Sequence, residues 1–240
     1  MAERGNRAVM QEEGPRCKPF SVAFLLTTVL RLAAPGRSSA RIYLTLLNDT
    51  AAKCMDGTQA GFYYEPAAAG ASEAARTGWV VHLQGGGECT DEALCSAQLS
   101  TKRGSSNYWD PYLWDLGFLA SNNPAQSPNL SDWNHVFVPY CSQDLHSGQV
   151  TVPSDNTFGL YFAGHLSLAA VVESLKKQPA PAVVLPTLGG EAGSTGVGPA
   201  QSLANATTVV LSGDSAGGIG TFINVDWLQE QLPQARVVAA

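Results

Sequence analysis

The chain has 240 residues, 45% hydrophobic and 14% charged, with a formal net charge of −6. That length supports one sizeable core, and the composition is that of a globular protein rather than a disordered or fibrous one. The acidic balance leaves no basic patch of the kind that binds nucleic acid or an anionic membrane.

Residues 1–40 differ from the rest. Arg4, Arg7, Arg16 and Lys18 precede an uncharged run from Phe20 to Leu30, and Ser38, Ser39 and Ala40 follow. Basic, apolar, then small is the layout of a secretory signal peptide. The run holds 11 residues, too few to cross a bilayer as a helix. Glu12 and Glu13 in a long leading region keep an uncleaved membrane anchor or a transit peptide open. Without residues 1–40 the chain keeps 8 basic and 17 acidic side chains, a net of about −9. A polyanionic partner would then have to be held by local contacts.

Residues 41–240 are expected to form the folded domain. Gly61-Phe62-Tyr63-Tyr64 reads as a strand, the small residues Ala67 to Ala75 as a loop, and Trp79-Val80-Val81-His82-Leu83 as a second strand ending at Gln84-Gly85-Gly86-Gly87. Asn134 to Tyr140 is a third strand, bounded by Pro139. His165 to Lys177 is predicted helical, because Leu168, Val171, Val172 and Leu175 share one face, and Pro179 stops it. Gly189 to Asn205 reads as a surface loop, Thr207 to Leu211 as a buried strand, and Ala235 to Ala240 as a strand beginning. Strands alternating with helices predict an α/β protein with a mostly parallel sheet.

Four cysteines lie beyond the leader residue Cys17. Cys89 with Cys95, close in sequence, is the first pairing expected, and Cys54 with Cys141 follows; four buried thiols are the alternative. Asn48-Asp49-Thr50, Asn129-Leu130-Ser131 and Asn205-Ala206-Thr207 are acceptor sequons that matter only in an exported chain.

The chemistry centres on Gly213-Asp214-Ser215-Ala216-Gly217-Gly218, placed between a strand and a helix in which Ile219, Phe222, Ile223 and Trp227 fall close to one face. Gly-x-Ser-x-Gly in that setting is a nucleophile elbow, in which flanking glycines let a tight turn pass and the serine Oγ stands exposed at a helix start. Ser215 is the candidate nucleophile, and the Ala216 amide one oxyanion donor. The second donor should come from the glycine turn after an earlier strand, with Gly86 the choice. His82 and His135 are strand positions expected in the core, His165 begins a helix as a cap or solvent-facing residue, and His146 could line the cleft. No His, Cys or acidic cluster has metal-ligand spacing, so neither metal nor cofactor is expected.

On these motifs the chain resembles the pectin acetylesterase/Notum family of carboxylesterases. Cys54-Met55-Asp56-Gly57-Thr58, Trp79 through Gly87 to Cys89, Trp133-Asn134 through Tyr140-Cys141 to Gly148, Leu160-Tyr161-Phe162-Ala163-Gly164 and Gly213 to Gly218 are similar to family segments, in family order over about residues 42–240. The resemblance implies an α/β-hydrolase fold and ester hydrolysis by Ser215 with Gly86 and Ala216 as oxyanion donors. With the leader layout and the cysteine use, the expectation is a secreted ester hydrolase, a monomer, acting on acylated polysaccharide such as pectin. A Notum-like lipid-acyl protein deacylase, a hormone-sensitive-lipase-type esterase and an inactive binding glycoprotein are the alternatives. Two positions depart from the pattern: Gln84 replaces an acid and Glu88 an aromatic residue.

An α/β-hydrolase triad runs Ser, then acid, then His. After Ser215 the acids are Asp226 and Glu230, in the following helix, and no histidine follows. The expectation is a sheet truncated after the elbow helix, with 240 residues alone unstable or inactive and the acid and base carried by a longer product.

Overall fold

The computed structural model describes residues 40–177 and 200–240; the leader reading of residues 1–39 and most of the loop expected before Asn205 lie outside them. The described residues build a seven-stranded sheet. In chain order the strands are β1 (Ile42–Leu46), β2 (Gly61–Glu65), β3 (Gly78–Leu83), β4 (Tyr112–Leu113), β5 (Asn134–Val138), β6 (Thr208–Gly213) and β7 (Arg236–Ala239), arranged β4-β1-β2-β5-β3-β6-β7. β5, β3, β6 and β7 run parallel, while β4, β1, β2 and β5 pair antiparallel. The parallel half carries the candidate site.

β3 is central, and all six of its residues are buried. A strand covered on both faces reads as a continuous apolar run, which is why Trp79 to Leu83 shows no alternation. Trp79, Val81 and Leu83 point into one core with Val209 and Leu211 of β6. That core is covered by helix α3 (Gly164–Lys176) through Leu168, Val171, Val172 and Leu175, and by Leu228 of α4 (Ala216–Gln231). Each such side chain stabilises the fold by about 1.5–3 kcal/mol on burial. Val80 and Val210 point to the opposite face, beneath Leu116, Ala120 and Trp133.

The remaining helices are short. The segment expected as a small-residue loop ends in a one-turn helix, α1 (Glu73–Arg76), because Ser72 Oγ accepts from Ala75 N and caps it. Asp91 likewise caps α2 (Glu92–Gln98), which no apolar periodicity announced. Both pairings expected of the cysteines are present as disulfides, Cys54–Cys141 and Cys89–Cys95. No described helix is long and apolar enough to cross a membrane.

The first two turns of α4 expose their large apolar side chains, while Trp227 and Leu228 further on pack toward the core. Ile219, Phe222 and Ile223 are 50%, 75% and 50% exposed, while Gly217, Gly220, Thr221 and Asn224 are buried. Backbone proximity decides this orientation. A Cβ on Gly217 would fall 2.7 Å from the carbonyl carbon of Leu83, and one on Gly220 2.9 Å from Leu145 O. At Gly217 and Gly220 the helix lies too close to β3 and to the 140s loop for large side chains to face inward.

Candidate active site

Three backbone segments meet at the C-terminal ends of β3, β5 and β6: the turn Gln84–Gly87, the loop from Tyr140 to Gly148, and the elbow Gly213–Gly217. Ligand sites of open α/β sheets gather at this end of the parallel strands. Ser215 sits between β6 and α4 with φ 50° and ψ −119°, a conformation that costs a non-glycine residue about 1–3 kcal/mol. Gly217 N donates to Asp214 O at 2.8 Å and Ile219 N to Ser215 O at 3.1 Å, closing the turn. Ser215 is exposed, and its Oγ bonds to none of the described residues.

Ala216 is the first residue of α4, so its amide lacks an intrahelical acceptor and lies at the positive end of the helix dipole. Neither this amide nor that of Gly86 donates to a described residue. Gly85 brings the two segments together. A Cβ there would lie 3.0 Å from Ser215 Cβ and 2.6 Å from Asp214 Oδ2, so only glycine permits the approach. A backbone amide at a helix start beside an exposed hydroxyl is of the kind that can receive negative charge developing on an ester oxygen.

Asp214 ties the segments together, a role not foreseen from the motif. Its Oδ1 accepts from Gly85 N at 3.0 Å and lies 3.3 Å from His82 Nε2, while His82 Nδ1 lies 3.0 Å from Ser212 Oγ. His82 is thus more than a core residue. Its ring lies near-parallel to those of Phe118 and Phe137, and burial pulls its pKa below 6.5 against the opposing pull of Asp214. A neutral ring donating from Nε2 to Asp214 and accepting from Ser212 at Nδ1 satisfies every bond.

His146 does not line an open cleft. It is 2% exposed, stacks on Tyr140, and donates from Nε2 to Gln84 O at 2.9 Å. Burial lowers its pKa also. The loop that carries it is held in left-handed conformations at Gln143, Leu145 and His146. Asp144 braces it, accepting from Ser142 Oγ at 2.6 Å and Gly164 N at 2.8 Å. His165 is neither cap nor solvent-facing: its Nδ1 bonds Asn224 Oδ1 at 2.8 Å and its ring meets Trp227 edge-on. His135 is fully buried, its Nε2 2.8 Å from Leu130 O. No histidine of the described residues bonds Ser215.

The two departures from the motif pattern have different roles. Gln84 is structural, its Oε1 accepting from Tyr140 N at 3.0 Å. Glu88 is exposed. Arg103, which no motif singled out, packs against Gly86 and donates from Nη1 to its carbonyl at 3.4 Å. Its nearest sequence cue is only the Gly104-Ser105-Ser106 turn beside it.

Comparison with known proteins agrees with this geometry. The family model described as Pectinacetylesterase matches residues 36–197 and 199–240. Pectin acetylesterase 5 of Arabidopsis thaliana is 29% identical over 81% of this chain and 39% of its own length. The palmitoleoyl-protein carboxylesterase NOTUM of Schmidtea mediterranea is 32% identical over 77% of this chain and 30% of its own. The crystal structure of the Wnt deacylase Notum from Drosophila superposes with a TM-score of 0.64 at 28% identity, covering 83% of this chain and 52% of that one. The chain therefore spans well under two thirds of these relatives. An α/β-hydrolase sheet, a glycine turn and a serine elbow agree with the family match, and the chain belongs to the pectinacetylesterase family.

Proposed function

We propose that this protein is a serine carboxylesterase that removes acetyl groups from an acylated polysaccharide such as pectin. The observation that carries the reading is Ser215: a strained, exposed serine at a strand-to-helix turn, followed directly by the Ala216 amide at the start of α4; Gly86 is the second donor we propose. The Oγ attacks the ester carbonyl and loses its proton to a base, forming the Oγ–C bond while the two amides hold the oxyanion. Collapse breaks the ester C–O bond, and the sugar alkoxide leaves with a proton. Water then attacks the acyl-enzyme, releasing acetate and restoring Ser215. The strain at Ser215 and the Asp214–Gly85 bond keep nucleophile and oxyanion turn in register before substrate arrives.

The four histidines bond other groups and none of them bonds Ser215. Export is part of the proposal: two disulfides suit an oxidising compartment, and residues 1–40 have signal-peptide layout. Two surface hollows, one bounded by Lys176, Leu232 and Pro233 and one by Leu47, Ala170 and Lys177, border neither Ser215 nor Gly86. In a protein of the relatives' full length, a fluorophosphonate probe should form an adduct that mass spectrometry maps to Ser215 and that Ser215→Ala abolishes. Labelling that survives this substitution, or none at all, would remove the esterase reading and leave a binding glycoprotein.

A further inference from the structure

Gly85, Gly86 and Gly87 bring no side chain to their turn, so only backbone bonds and close packing can hold it in one conformation. Two of the shorter bonds meet on a single peptide unit. The Gln84 carbonyl accepts from His146 Nε2 at 2.9 Å, and the Gly85 amide of the same unit donates to Asp214 Oδ1 at 3.0 Å. A peptide unit is planar, so bonds at its two ends fix its orientation and a flip would break both. The next unit carries the Gly86 amide. Beyond it the Gly86 carbonyl accepts two long bonds of 3.4 Å, from Arg103 Nη1 and Gln143 Nε2. The firmer hold on the turn is therefore the one on the Gln84–Gly85 unit.

His146 is itself fixed from several sides. Its φ is 56°, a left-handed conformation that persists only where the surroundings impose it. Asp144 Oδ1 accepts from its amide at 3.1 Å, and Asn224 Nδ2 donates to its carbonyl at 2.9 Å. Its ring lies 4.6 Å from that of Tyr140. Gly220 leaves it room, since a Cβ there would fall 3.0 Å from His146 Cβ. Asn224 and Gly220 belong to α4, the helix that Ser215 begins, and Asn224 Oδ1 accepts from His165 Nδ1 of α3 at 2.8 Å. Asp214 directly precedes Ser215. Both bonds on the peptide unit thus lead back to the segment that carries the nucleophile.

We propose that His146 is a positioning residue of the ester-cleaving site: with Asp214 it grips the Gln84–Gly85 peptide at both ends and so orients the turn that presents the Gly86 amide to the oxyanion. This rests on the esterase reading for the role of Gly86. The grip is in place before substrate arrives, so three glycines are ordered in folding rather than during the reaction. The simpler role for His146 is to tie the 140s loop to the sheet. That role would change stability and leave turnover per folded molecule as it is.

The test uses a protein of the relatives' full length with p-nitrophenyl acetate as the ester. His146→Asn tolerates the left-handed φ, but its amide stops short of Gln84 O, whereas His146→Gln reaches nearly as far as Nε2. His146→Asn should lower kcat on the order of tenfold with KM changed less than about twofold, because oxyanion bonds strengthen chiefly in the transition state. His146→Gln should recover most of the loss. His146→Phe, which keeps a ring on Tyr140 without a donor, should match His146→Asn. Amide exchange at Gly85, followed by NMR, should quicken on the order of tenfold in His146→Asn and His146→Phe and stay slow in His146→Gln. Unchanged kcat in folded His146→Asn, equal loss in His146→Asn and His146→Gln, or a fall in kcat without faster exchange overturns the proposal. Fluorophosphonate labelling of Ser215 is scored separately. Labelling with unaltered Gly85 exchange refutes the grip and spares the esterase; faster exchange in a protein whose Ser215 takes no label keeps the grip and removes the esterase.

Discussion

Removing the Cys54–Cys141 disulfide should cost the fold much more than removing Cys89–Cys95. The first closes a loop with sequence separation 87 and the second one of 6. Loop-closure entropy then assigns about 4.6 kcal/mol to the long bridge and about 2.2 kcal/mol to the short one. Sulfur packing does not bias the comparison strongly. Cys54 and Cys141 pack with Trp109, and Cys95 with Met55 and Leu160, each in a small buried cluster, so both Ala pairs lose similar contacts. The difference of about 2.4 kcal/mol corresponds to about 5–10 °C in melting temperature for a domain of this size. Calorimetric melting of Cys54→Ala/Cys141→Ala beside Cys89→Ala/Cys95→Ala reads it directly. The long bridge also ties the chain before β2 to the end of β5, where Tyr140 supports Gly86: a Cβ on Gly86 would lie 3.1 Å from Tyr140 Cδ1. Probe labelling of Ser215 should therefore fall more in the first variant. If the two proteins melt within about 2 °C of each other, or the short bridge matters more, the entropic account is wrong for this fold.

The elbow glycines differ sharply in tolerance. Gly217→Ala forces a Cβ against the Leu83 backbone and should destabilise by about 3 kcal/mol or more, whereas Gly218→Ala, with 3.3 Å to Gly213 O, should be tolerated; urea unfolding midpoints compare them. Burial holds the pKa values of His82 and His146 below 6.5, so between the folded values and 6.5 the unfolded chain binds more protons than the folded one. Stability is full above 6.5 and is lost as pH falls through that window. Melting temperature should drop between pH 7.5 and pH 5.5, with His82→Gln flattening the slope, and a melting temperature that rises on acidification would contradict this. Asp214→Ala strands Gly85 N and should cost about 1 kcal/mol together with most Ser215 labelling. Asp214→Asn, which keeps an acceptor for that amide, should retain more of both. Equal labelling in the two variants would show that the bond does not position the turn.

Local patterns carried much of this molecule. β3, β5 and β6 were legible because buried parallel strands are continuous apolar runs, and α3 because its apolar face recurs at helical spacing. β5 ends at Val138, before the Pro139 that marked its limit. The short elements β1, β4, α1 and α2 were not legible, since a few residues fixed by caps or edge pairing leave no period to read. The orientation of α4 was not legible: Ile219, Phe222 and Ile223 share one face, and close backbone approach reserves the inner face of its first turns for Gly217 and Gly220.

The sequence by itself determined the elbow around Ser215 and the glycine turn after β3, because each depends on residue type at short range; it ranked the cysteine pairings, and the fold decided them. Tertiary structure alone decided that Asp214 bonds Gly85 and His82, that His146 is buried beneath the loop, and that Arg103 lies against the oxyanion turn. These contacts join residues 17 to 132 positions apart, and no local pattern encodes which side chains the sheet will bring together.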